Sequence, residues 1–113
     1  YFRAGDHESA KRWQDEQHKN GYDFEIYYVD VADFQSCEKL FETLGSKSKD
    51  IDILVNNAGI TADTPFYKMD HTQWESVLHT NLDSLFNMTR PIINNMIARH
   101  YGRIINISSI NAQ

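Results

Sequence analysis

Ile51-Asp52-Ile53-Leu54-Val55-Asn56-Asn57-Ala58-Gly59 decides how the chain folds. Ile51, Ile53, Leu54 and Val55 are β-branched or bulky, and the run is too short for a helix, so it predicts a buried strand. Two asparagines and Ala-Gly follow directly. They predict a polar turn in which side-chain amides stand beside a backbone that a ligand can approach closely.

On the N-terminal side, Tyr1-Phe2-Arg3 reads as the end of an earlier strand. Asp6 is a good N-cap for a polar helix over 7–20, and Gly21 stops it. Residues 24–29, rich in β-formers, predict a strand ending at Asp30-Val31. Asp33 then caps a helix whose Phe34, Cys37, Leu40, Phe41 and Leu44 share one stripe, with a polar break over 45–50. On the C-terminal side, 61–68 reads as a loop around Pro65. Trp74, Val77, Leu78, Leu82, Leu85, Ile92, Ile93, Met96 and Ile97 keep the three-four spacing of one buried face, so 70–99 predicts a long helix. Pro91 should kink or divide it. Residues 103–107 predict a last strand, ending in Ser108-Ser109. This alternation is that of an α/β fold, a doubly wound parallel sheet with helices on both faces.

Composition narrows the function classes. A chain of 113 residues makes one domain at most. With 41% apolar and 24% charged residues, it has the composition of a globular protein. A net charge of −5 offers nucleic acid or an anionic membrane no basic surface. No apolar run approaches the roughly 20 residues of a membrane span, and no secretory signal pattern is present. Cys37, the single cysteine, has no partner for an intramolecular disulfide, and its place on the apolar stripe suits packing. The five histidines are scattered without metal-ligand spacing, so no metal is expected. These features predict a cytoplasmic protein.

In open α/β sheets, ligands bind beyond the carboxyl ends of the strands. Asp30, Asn56-Asn57 and Ser108-Ser109 all fall at such ends. A carboxylate at Asp30 suits an exocyclic amine donor, and equally a turn before Ala32-Asp33. Asn81 follows Val77 and Leu78 by four and three residues, which sets an amide in an apolar stripe. A buried amide must be hydrogen-bonded or costs about 1–3 kcal/mol, so Asn81 is either a structural clamp or part of a site.

Asn56-Asn57-Ala58-Gly59 after its strand, with Asp30-Val31, Thr80-Asn81-Leu82 and Ser109 in order and spacing, resembles the short-chain dehydrogenase/reductase family. Within that family, Asn57-Ala58-Gly59-Ile60-Thr61 and the segment from Ile107 to Gln113 look most like the acetoacetyl-CoA reductases of polyhydroxybutyrate synthesis. The 3-oxoacyl-[acyl-carrier-protein] reductases are the nearest rival.

The resemblance implies a Rossmann-like domain and a role for each matching residue. The Asp30 carboxylate would take the adenine amino group, assisted by Val31, and Asn57, Ala58, Gly59, Ile60 and Thr61 would line the cofactor. Asn81 would hold a proton-relay water in a catalytic tetrad. Ser109, preferred to Ser108 because a loop follows it, would donate to the substrate carbonyl. Asp63 matches a substrate-contacting loop position. Arg3 stands where an acidic residue would bind the ribose hydroxyls of NAD, and its positive charge suits the 2′-phosphate of NADP instead. The resemblance also implies an acyl-CoA substrate and a homotetramer.

Two defining pieces of the family have no counterpart in the sequence: a glycine-rich turn for the pyrophosphate, and a Tyr-x-x-x-Lys proton donor. None of Tyr27, Tyr28, Tyr67 and Tyr101 has a lysine four residues on. Residues 1–113 are therefore expected to be the central part of a single dinucleotide-binding domain, inactive by themselves. Other family dehydrogenases acting on sugars, steroids or alcohols are the enzyme alternatives, and a non-catalytic binding remnant of the fold is the alternative of another class.

Overall fold

The computed structural model describes residues 5–109. Arg3, like residues 110–113, lies outside them. The elements are α1 (His7–Lys19), α2 (Phe34–Ser46), β1 (Ile53–Asn56), α3 (His71–Leu78), α4 (Ser84–Ala98) and β2 (Arg103–Asn106), with a short 3₁₀ turn at Phe66–Lys68 after Pro65.

Three of the four helix starts follow from aspartates. Asp6 accepts from the Ser9 N–H at 3.1 Å and Asp33 from the Gln35 N–H at 3.0 Å. At α3, Asp70 and Gln73 form a reciprocal capping box, Gln73 N–H to Asp70 at 2.7 Å and Asp70 N–H to Gln73 at 3.1 Å. Each carboxylate satisfies an amide that the first helical turn leaves unpaired. Gly21, at φ +86°, turns the chain out of α1.

β1 and β2 pair in parallel, with Ile53 opposite Arg103 and Asn56 opposite Asn106. The connection between them runs through α3 and α4, the crossover that parallel strands need. Alternation along β1 turns Leu54 and Asn56 inward, whereas Ile53 and Val55 remain 56% and 52% exposed on the other face. Leu54 meets Ile92 and Met96 of α4, with Phe41, Ile51 and Met88 packed around them. α2 lies against α4 and completes this layer. At the entry to β1, Arg99 donates to Asp52 Oδ1 at 2.6 Å and to the Ile51 carbonyl at 2.8 Å, which ties the end of α4 to the start of the strand.

Three expectations are corrected. Residues 24–29 form no strand, because a strand needs a ladder partner and none pairs with them among the described residues. Side chains hold this segment instead: Gln14 donates to the Phe24 carbonyl at 2.6 Å, and Glu25 accepts from Tyr27 and Lys49. Second, Pro91 does not divide the helix, since α4 continues through it. The long helix changes at His79–Asp83 instead, where it widens into a π turn.

Third, the buried face is only in part the one the spacing predicts: Ile92 and Met96 are buried and Val77, Leu78, Leu85 and Ile93 half-buried, whereas Trp74, Leu82 and Ile97 are exposed. Beyond the π turn Ser84 and Asn87 are buried as well. A π turn takes up one extra residue and shifts the phase of everything beyond it. Asn81 lies in that turn and is exposed, not buried.

Candidate functional site

The β1–β2 register brings two candidate segments to one edge of the sheet. The last ladder bond runs from the Ile107 N–H to the Asn56 carbonyl at 2.9 Å, so Asn57 and Ile107 leave the sheet side by side. Asn56 is buried and donates from Nδ2 to Asn106 Oδ1 at 2.8 Å. This amide pair fixes where the two strands end, which makes Asn56 a structural residue. Ser109, three residues beyond Asn106, is exposed at that end.

Asn81 reaches the same end from the π turn. Its Oδ1 accepts from the Ile60 N–H at 2.8 Å, and its Nδ2 donates to the Ile60 carbonyl at 2.9 Å. A single amide thus satisfies both backbone groups of one residue in the turn after β1. The side chain keeps one N–H and further oxygen lone pairs for another partner. Asn57, Gly59 and Thr61 are exposed, with Ala58 and Ile60 half-buried between them. A Cβ on Gly59 would lie 3.5 Å from Asn81 Oδ1, an ordinary contact, so Asn81 itself does not exclude a side chain there. Further along, Thr61 Oγ1 donates to Asp63 Oδ2 at 3.5 Å, and both residues are exposed.

The third candidate, Asp30-Val31, ends the unpaired segment and is tied from two helices. The Asp30 N–H donates to Ser36 Oγ at 3.0 Å, Cys37 Sγ donates to the Asp30 carbonyl at 3.6 Å, and Asn87 Nδ2 donates to the Val31 carbonyl at 3.0 Å. One Asp30 carboxylate oxygen accepts from the Ala32 N–H at 3.0 Å, the turn-forming role that its position also allowed. Burial, with Asp30 and Asp33 nearby, pushes the Cys37 thiol up to about 11, so this cysteine serves as packing and donor.

Sequence reasoning passed over Asn87. It stands about 140° around α4 from Ile92, off the line that helical spacing draws back from Met96 and Ile92, so spacing held no signal for it. Among the described residues, no three His, Cys, Asp or Glu side chains come together as a metal site. No helix among them is long and apolar enough to cross a membrane.

The order of these features along a parallel βαβ unit matches a known family. The family model for short chain dehydrogenases matches residues 3–113. The chain belongs to the short-chain dehydrogenase family. It is 47% identical to nodulation protein G of Azospirillum brasilense over 104 residues, covering 92% of this chain and 42% of that protein. To the acetoacetyl-CoA reductase of Cupriavidus necator it is 44% identical over 103 residues, covering 91% of this chain and 42% of the relative.

Among solved structures, a gluconate 5-dehydrogenase from Burkholderia cenocepacia in complex with NADP and tartrate superposes with a TM-score of 0.83 at 31% identity. The match covers 94% of this chain and 42% of that one. The fold is thus the Rossmann-like one of short-chain dehydrogenases, with a parallel sheet. The chain spans about two fifths of the length of these relatives.

The residues present fit the adenosine half of a nicotinamide dinucleotide. Asp30 is exposed, and its carboxylate retains lone pairs for an amino-group donor. The run from Asn57 to Thr61 offers small side chains and exposed backbone beside a rigidly held Ile60.

Proposed function

We propose that residues 1–113 are the central part of a single dinucleotide-binding domain in an NADP-dependent reductase of 3-oxoacyl thioesters. The proposed reaction is acetoacetyl-CoA to 3-hydroxybutyryl-CoA, as in polyhydroxybutyrate synthesis. The observation that carries this reading is the strand end itself. Asn81 clamps Ile60 in the turn after β1, beside the neighbouring strand end that leads to Ser109. The acetoacetyl-CoA reductase of Cupriavidus necator supports the substrate class, and the NADP complex of the gluconate 5-dehydrogenase supports the cofactor.

When bound, NADPH supplies the hydride that reduces the 3-keto carbon. Asp30 and Val31 would hold its adenine, Asn57, Ala58, Gly59, Ile60 and Thr61 its ribose side, and Arg3 the 2′-phosphate. The Ser109 hydroxyl donates to the carbonyl oxygen and, as negative charge develops there, to the alkoxide. Asn81 fixes the Ile60 backbone and, with its remaining donor and acceptor capacity, holds a water that relays the proton. The proton donor is the tyrosine of the family's Tyr-x-x-x-Lys, which these 113 residues lack. Asp63 would touch the substrate from the loop after β1. The whole protein acts as a cytoplasmic homotetramer.

In the full-length protein, Ser109→Ala should lower turnover of acetoacetyl-CoA by about 10²- to 10³-fold. NADPH affinity, read by fluorescence titration, should stay near wild type. Turnover close to wild type would remove Ser109 from the mechanism. Acyl-carrier-protein thioesters belong in the same assay, and so does gluconate oxidation. The structural likeness to a gluconate dehydrogenase makes a sugar acid the second reading, and a higher kcat/KM on it would replace the thioester.

A further inference from the structure

Asn87 lies in the first turn of α4 and is only 7% exposed. Asparagine is a poor helix former, and burying its amide costs free energy unless a partner is supplied. An apolar residue would fill the same place without that cost. What Asn87 adds is a bond out of its own helix: Nδ2 to the Val31 carbonyl, 56 residues away in sequence.

The bond goes where the fold is least determined by its backbone. No ladder holds 24–29 among the described residues, so side chains place the end of that segment, beside one backbone bond from the Asp33 N–H to the Asp30 carbonyl at 3.1 Å. Ser36 and Cys37 hold it from α2, and Asn87 is its tie to α4. The same helical run carries Asn81, which fixes Ile60. One helix therefore sets the separation between the Asp30-Val31 end and the turn after β1, the two segments assigned above to one cofactor.

We propose that Asn87 is a positioning residue for cofactor binding, holding the Val31 carbonyl so that Asp30-Val31 stands ready for the adenosine end. The role rests on the reading of Asp30-Val31 as the adenine segment, and the test separates the two. Adenosine 2′,5′-bisphosphate is the probe, because it carries the adenine and 2′-phosphate without the nicotinamide. Its Kd is measured by calorimetry on the full-length protein as wild type, Asp30→Ala, Asn87→Ala and Asn87→Ser. Tm and the kinetic constants for NADPH are recorded alongside.

Losing one hydrogen bond that preorganises the site should raise the Kd of the bisphosphate about threefold to tenfold in Asn87→Ala. The KM for NADPH should rise by a similar factor, with kcat falling less. A packing role alone would lower Tm and leave the Kd of the folded protein unchanged, and that result overturns the proposal. If Asp30→Ala also leaves the Kd unchanged, the adenine reading itself fails. If Asp30→Ala weakens binding and neither Asn87 variant does, only the positioning role falls. Loss of cooperative unfolding in both Asn87 variants would make the residue a requirement of the fold, and would equally overturn the proposal.

Discussion

Two strand-forming segments precede the crossover helices, 24–29 and 53–56, and only the second is a strand. Residues 53–56 pair in register with β2, bury Leu54 against α4, and end on the Asn56–Asn106 amide bond. Residues 24–29 have as strong a preference for strand, yet they meet no ladder among the described residues and are held by Gln14, Lys49 and their own Tyr27–Glu25 contact. The difference teaches that β-propensity describes a surface ready to pair, and that the partner completes it. It also separates two ways of building a strand-end site. One end is set by backbone register, and the other by side chains reaching from helices.

Three changes test that contrast, beginning on the paired side. Met96→Ala removes a side chain that is 5% exposed and joins Leu54 and Ile92, and should cost about 2–5 kcal/mol in denaturant unfolding. A cost under about 1 kcal/mol would mean that the β1–α4 layer is not the core. Next, Asn56→Ala leaves Asn106 without its cross-strand donor and should cost about 1–3 kcal/mol. Amide exchange at Ile107 should quicken with it, because the last ladder bond lies beside the lost pair.

The smallest effect belongs to the unpaired side. Hydrogen bonds from Lys49 first, and then from Tyr27, hold the Glu25 carboxyl below its ordinary 4.5. A lowered folded-state value means stabilisation that is present above the unfolded pKa and lost as pH falls through the folded one. An NMR titration of Glu25 should therefore show a midpoint below 4.5. Glu25→Gln should flatten the acid limb of the stability curve only slightly, since the group is exposed. A midpoint at or above the ordinary value would show that the Lys49 contact does not order this segment.

Helix starts were legible because an aspartate cap acts within a few residues: Asp6 and Asp33 sit where the sequence put them, and Asp70, read as the first residue of the long helix, caps α3. The parallel pairing of 53–56 with 103–106 was legible from the strand-helix-strand order. The failures were non-local. Whether 24–29 pairs depends on another segment, which no property of its own residues reveals. Hydrophobic spacing assumes a constant 3.6 residues per turn, so it ran the buried face straight through His79–Asp83 and placed Asn81 inside.

At the site, the sequence and its family likeness picked out Asn81 and Ser109, and the structure sets the Asn81 amide on Ile60 and Ser109 at the adjoining strand end. Asn87 escaped because it stands off the Ile92–Met96 line, where a single Asn in a helix looks like surface.

The widened turn at His79–Asp83 makes the length of this stretch as consequential as its composition. Deleting one residue there would let the helix close into a regular spiral with the part beyond left in place, whereas adding one would swing everything beyond by about 100°. Ile92 and Met96 would then rotate off Leu54, and the Asn87 amide away from Val31, although no side chain in the core had changed. The five residues act as a counting device: substitutions within them can be absorbed one at a time, whereas an added residue puts the core and both loop attachments out of step together.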